Sequence, residues 1–92
     1  MTTEKPTIEI PRHVEFSFVE DGFVLLDLRR GEYYGLDEVA SAVWKALVDG
    51  ASPGEAAERI ARGYRVERER ALSDVEVLID RLAGAGLLEL SG

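Results

Sequence analysis

Phe23-Val-Leu-Leu-Asp-Leu-Arg-Arg-Gly-Glu-Tyr-Tyr-Gly-Leu36 is the stretch that decides the fold. Its first half, Phe23 to Leu28, is a nearly continuous apolar run, which suits a central strand covered on both faces. Arg29-Arg30-Gly31 has the chemistry of a tight turn, and Glu32 to Leu36 reads as a short third strand at the edge of a sheet. Two consecutive tyrosines on that strand, Tyr33 and Tyr34, must point to opposite faces. At most one is a simple core residue. The other offers its ring at an edge or groove, where an aromatic side chain gives large contact area at low entropy cost, unless both merely cap the sheet.

Upstream of this stretch, Val14, Phe16 and Phe18 alternate with Glu15 and Ser17, the pattern of a half-buried strand. Asp21-Gly22 then supplies a pair that tolerates the positive φ of a hairpin turn. Residues 1–7 show no periodicity and read as a flexible lead-in, so the fold is expected over 14–90 after a flexible segment 1–13.

Downstream the period changes. Asp37 is a helix N-cap, and Leu36, Val39, Ala40, Val43, Trp44 and Leu47 recur at helical spacing up to Gly50. Ser52-Pro53-Gly54-Glu55 is a capping box with proline at the first helical position, opening a second helix that closes near Gly63-Tyr64. A third helix is expected over 67–83, broken by Gly84-Ala-Gly86, with Leu87 to Leu90 returning as an extended tail. The class is α+β: a three-stranded antiparallel β-meander followed by three helices, in one domain without repeats or linkers.

Composition narrows the function. The 92 residues contain no cysteine and one histidine, His13, so a thiolate nucleophile, a multi-histidine metal site or a Ser-His-Asp triad is hard to build. Neither a cofactor nor a metal is expected. No apolar run approaches a membrane span, and the N-terminus is not a signal peptide; a cytoplasmic protein is expected. With a net charge of −7 the long-range field repels nucleic acid. A chain this short has a small core, to which Trp44, the phenylalanines and the leucines are largely committed. Any ligand site is therefore expected in a surface groove or at a sheet edge.

The carboxylates of the third helix alternate with arginines, the pattern of a solvated face with ion pairs rather than of a catalytic pair. Three helices beside a meander resemble a winged helix, yet residues 65–84 carry four arginines against five acids, which disfavours groove reading in DNA. The glycines lack the Gly-Lys-Ser/Thr arrangement of a phosphate loop. On the third helix Leu72, Val75, Ile79 and Leu82 form the stripe a core needs, and Val77 and Leu78 widen it. Either the tail or a partner covers that excess.

Taken together, Val24-Leu-Leu-Asp-Leu-Arg-Arg-Gly-Glu-Tyr-Tyr-Gly-Leu36, the helix with Trp44, the Ser-Pro-x-Glu helix start and Ala71-x-x-Asp74-Val75 ending in Gly86-Leu-Leu88 resemble the PqqD-like family of RiPP recognition elements, over roughly residues 14–90. The resemblance implies a winged-helix-like fold without catalysis of its own. It implies binding of the leader of a ribosomally made precursor peptide as an added strand, on the edge of the third strand and beside the third helix. On that basis Glu32, Tyr33, Tyr34 and Gly35 form the edge. Val75 and Leu78 form the apolar floor, and Asp74 and Arg81 are polar flanks that select leader charges; Val75 as a wholly core residue is the alternative. Gly50-Ala-Ser-Pro53 and the Gly-x-Tyr-Tyr-Gly-Leu strand look like those of lasso peptide clusters. There the partners are a transglutaminase-like cysteine peptidase and an asparagine-synthetase-like cyclase. A peptide chaperone for a radical SAM enzyme and a winged-helix DNA regulator are the other readings.

Overall fold

The structure is a computed structural model that describes residues 7–20 and 22–91. In chain order it contains β1 (Thr7–Glu9), β2 (Val14–Val19), β3 (Gly22–Asp27), β4 (Glu32–Gly35), α1 (Glu38–Val48), α2 (Pro53–Tyr64), α3 (Arg68–Gly84) and β5 (Glu89–Ser91). The meander is antiparallel in the order β2-β3-β4, and β1 pairs with β5 in a second, two-stranded sheet.

That second sheet corrects the expected lead-in. Residues 7–13 belong to the fold: Thr7 pairs with Ser91 and Glu9 with Glu89, while Ile8 and Ile10 pack half-buried against the core. Pro11 is buried and His13 Nε2 lies 3.0 Å from the Gly86 carbonyl. The alternation Ile8-Glu9-Ile10 was too short to signal a strand until its partner, the tail, was in place. The rest of that expectation, residues 1–6, lies outside the described residues.

Within the meander, Leu25 is opposite both Phe16 and Tyr34, and Asp27 is opposite Val14 and Glu32. Side chains alternate across a strand, so Phe23, Leu25 and Asp27 share one face with Val14, Phe16, Phe18 and Tyr34. Leu25 and Asp27 are fully buried on that face. The other face is open. Glu15, Ser17, Tyr33 and Gly35 are exposed there and leave Val24 and Leu26 only half-buried, so β3 is covered on one face, not two.

Two further expectations shift. The hairpin between β2 and β3 turns at Glu20, whose φ is 51°, and Gly22 pairs with Val19 as a strand residue. Gly22 serves a different need, because a Cβ there would lie 2.7 Å from the Leu36 carbonyl oxygen. Asp21 lies outside the described residues. The phenylalanines are also less committed to the core than expected. Phe18 is 62% exposed and stacks edge-on against Phe23, while Phe16 meets Trp44 edge-on at 5.4 Å between centroids. The helices lie over β3, and side chains on the β2 edge overhang the core.

The helices begin where their caps dictate. The Asp37 side chain accepts from the Ala40 N–H, and the Ser52–Glu55 capping box is complete in both directions. α2 ends at Arg65 in the left-handed conformation. Trp44 at 0% exposure, Val43 and Leu47 anchor α1, and the small residues Ala46, Ala56, Ala57 and Ala71 let the helices approach closely around Ile60, Val75 and Ile79. Leu87 and Leu88 close the core from the tail.

Candidate functional site

β4 is held at both ends by polar contacts that leave its outer edge bare. At its start, the buried Asp27 carboxylate accepts through Oδ1 from the N–H groups of Arg29 and Arg30, and the Asp27 carbonyl accepts from the Gly31 N–H. This shapes the turn that returns the chain. At its end, the Leu36 N–H donates to the Phe23 carbonyl, the Ser41 hydroxyl donates to the Leu36 carbonyl, and the Phe23 N–H donates to the same hydroxyl. The buried Ser41 thus ties β3, the end of β4 and α1 together.

The Leu36–Phe23 bond also sets the direction of every backbone group on β4. In an antiparallel pair, a residue's N–H and C=O both face the partner strand or both face away, in alternation. Leu36, Tyr34 and Glu32 therefore face β3. The N–H and C=O groups of Tyr33 and Gly35 face outward, and no strand among the described residues covers them.

Beside this edge runs an open groove of about 450 Å³ between β4 and α3. Of the residues the sequence singled out, Tyr33, Tyr34, Gly35, Leu78 and Arg81 line it. Tyr33 is 73% exposed on the open face of the sheet, while Tyr34 is half-buried on the helix side. The Tyr34 hydroxyl donates to Glu32 Oε1 at 2.9 Å, and this bond, with lesser contributions from desolvation and the Glu32 charge, raises its pKa above the ordinary phenol value. Glu32 thus acts on the groove through Tyr34.

Two expected residues sit elsewhere. Val75 is 1% exposed and belongs to the core, not to the groove floor. Asp74 is exposed, lies outside the groove lining and is 4.0 Å from Arg70 in an i,i+4 pair. The floor is completed by Leu82, Ala85 and Leu87, and the end near α1 by Leu36, Asp37 and Ala40. The apolar ones looked like plain core positions, because a helical or tail pattern shows that a side chain turns inward but not that the space above it stays open.

The arrangement offers backbone donors and acceptors along one side, an apolar floor and a cation at the rim. That chemistry suits an extended peptide. Among the described residues no group of His or carboxylate side chains is placed to hold a metal ion. No helix there is long and apolar enough to cross a membrane.

Comparison with known proteins gives a consistent picture. The sequence profile of coenzyme PQQ synthesis protein D (PqqD) matches residues 22–88. Among solved structures, TbiB1 in complex with the TbiA(beta) leader peptide is 36% identical and has a TM-score of 0.83, covering 88% of this chain and 94% of that one. A lasso peptide synthetase B1 complexed with the leader peptide is 31% identical and has a TM-score of 0.85, covering 90% of this chain and 98% of that one. No curated protein matches the chain.

Proposed function

Because this chain belongs to the PqqD family, we propose that it is a non-catalytic recognition protein, which binds the leader of a ribosomally synthesised precursor peptide by adding it as a strand to β4. The observation that carries this reading is the uncovered edge of β4 directly beside an apolar groove. An added strand pairs with the outward groups of Tyr33 and Gly35, and its alternate side chains enter the groove toward Leu78 and Leu82. Main-chain bonds supply affinity and the groove supplies selectivity.

The pathway reading is lasso peptide biosynthesis, supported by the two B1 proteins of the same fold solved with leader peptides. The bound leader would be presented to a transglutaminase-like cysteine peptidase and then to an asparagine-synthetase-like cyclase. The match to a profile named for coenzyme PQQ synthesis supports a second reading, in which the same groove serves a radical SAM enzyme. A cytoplasmic location fits both.

Hydrogen exchange with and without a synthetic lasso precursor leader peptide tests the proposal. The amides of Tyr33 and Gly35 should slow on binding, with smaller protection around Leu78 and Leu82. Protection confined to α1 and α2 would refute the β4 site. Which neighbouring enzyme co-purifies with the complex separates the two pathways.

A further inference from the structure

We infer that the groove selects leaders that carry an acidic side chain two residues from an apolar anchor, and that Arg81 reads this acid. The inference rests on the groove assigned above and names the class of peptide it takes.

Arg81 lines the groove, and no ion-pair partner for it exists among the described residues. Its sequence neighbours on the helix surface explain why. Side chains three and four positions away are the ones within reach, and for Arg81 these are Val77, Leu78, Gly84 and Ala85. Arg70, on the same helix, has Asp74 four positions on and pairs with it. Arg68 reaches Glu58 on α2. The acids around the groove are engaged elsewhere: Glu32 accepts from the Tyr34 hydroxyl, and Asp37 caps α1 through the Ala40 N–H. A favourable interaction with the C-terminal end of α3 accounts for a basic residue in the last turn, but not for its placement at a groove rim without a partner.

Spacing converts this free cation into a peptide pattern. Leu78 and Arg81 are one helical step apart, a rise of about 4.5 Å with their Cβ atoms roughly 5–6 Å apart. Alternate residues of an extended strand point the same way and are separated by roughly 6.6–6.8 Å. An added strand that runs along α3 with an apolar side chain over Leu78 brings its next groove-facing side chain near Arg81. The chain's net charge of −7 opposes acidic peptides in general, so acceptance is confined to the position that Arg81 serves.

Selection from a randomised dodecapeptide display library tests this on the intact chain. The wild type should enrich Asp or Glu two residues from an apolar residue. Arg81→Glu should enrich Lys or Arg at the same place, and Arg81→Ala should weaken the wild-type winners by about fivefold, the scale of one partly exposed ion pair. Winners without acid enrichment, or the same winners for wild type and Arg81→Glu, would overturn the inference while leaving the groove intact. Winners that bind without slowing the amides of Tyr33 and Gly35 would instead remove the groove reading, and this inference with it.

Discussion

Leu78 and Val75 are three residues apart on α3 and chemically alike, yet the structure separates their roles. Leu78 is half-buried at the groove and Val75 is closed into the core. Leu78→Ala should weaken leader binding by about 1–3 kcal/mol with little loss of stability, since it removes apolar contact with the ligand. Val75→Ala should cost about 2 kcal/mol of stability through a core cavity and leave the affinity of the folded protein unchanged. Titration calorimetry and thermal melts on both variants check the contrast; equal effects of both on binding would contradict it. Asp27 makes a second residue-scale case. Its buried carboxylate orders two N–H groups of the turn, and Asp27→Ala should destabilise by about 1–3 kcal/mol in denaturant melts. Helical period placed Val75 in the core stripe and Leu78 among the residues that widen it. It could not tell which flank of the helix meets packed side chains and which meets an open groove, because that depends on where β4 stops.

At the scale of elements, β4 is short, ends in glycine and has its outward donors at Tyr33 and Gly35. Proline is tolerated on an edge strand where its missing N–H would have faced solvent. Gly35→Pro should therefore fold normally but lose one main-chain bond to the added strand, weakening leader binding by about 1 kcal/mol or more. A folded Gly35→Pro protein with wild-type affinity would show that the leader does not pair there. Most elements were legible from the sequence, because their signals are local: the caps at Asp37 and Ser52, the alternation over 14–18, and the turn at Gly31. The position of the turn in the first hairpin was not, although the hairpin itself was. Gly22 looked like a turn residue, whereas its lack of a Cβ answers a contact with Leu36, fourteen residues on. The open face of the sheet was hidden for the same kind of reason. An apolar run shows that a strand is central, but the number of layers packed on it depends on where the helices go.

At the scale of the whole molecule, the pairing of β1 with β5 joins the first and last strands of the fold, a contact between residues 80 to 84 apart in sequence that no local pattern announces. Removing residues 1–9 strips β5 of its partner and takes Ile8 away from the core. It should lower the melting temperature by at least about 4 °C, the shift that 1 kcal/mol produces in a domain of this size. An unchanged melt would mean that the ribbon adds nothing. The same pairing also has a consequence for linkage to other proteins. Because Thr7 lies opposite Ser91, a tether attached before the first strand and one attached after the last leave the molecule from the same spot. An enzyme joined by a flexible linker at either side would then meet the bound peptide at nearly the same effective concentration, which linker length sets rather than the order of the two modules. Fusions built in either order should process their substrate at similar rates.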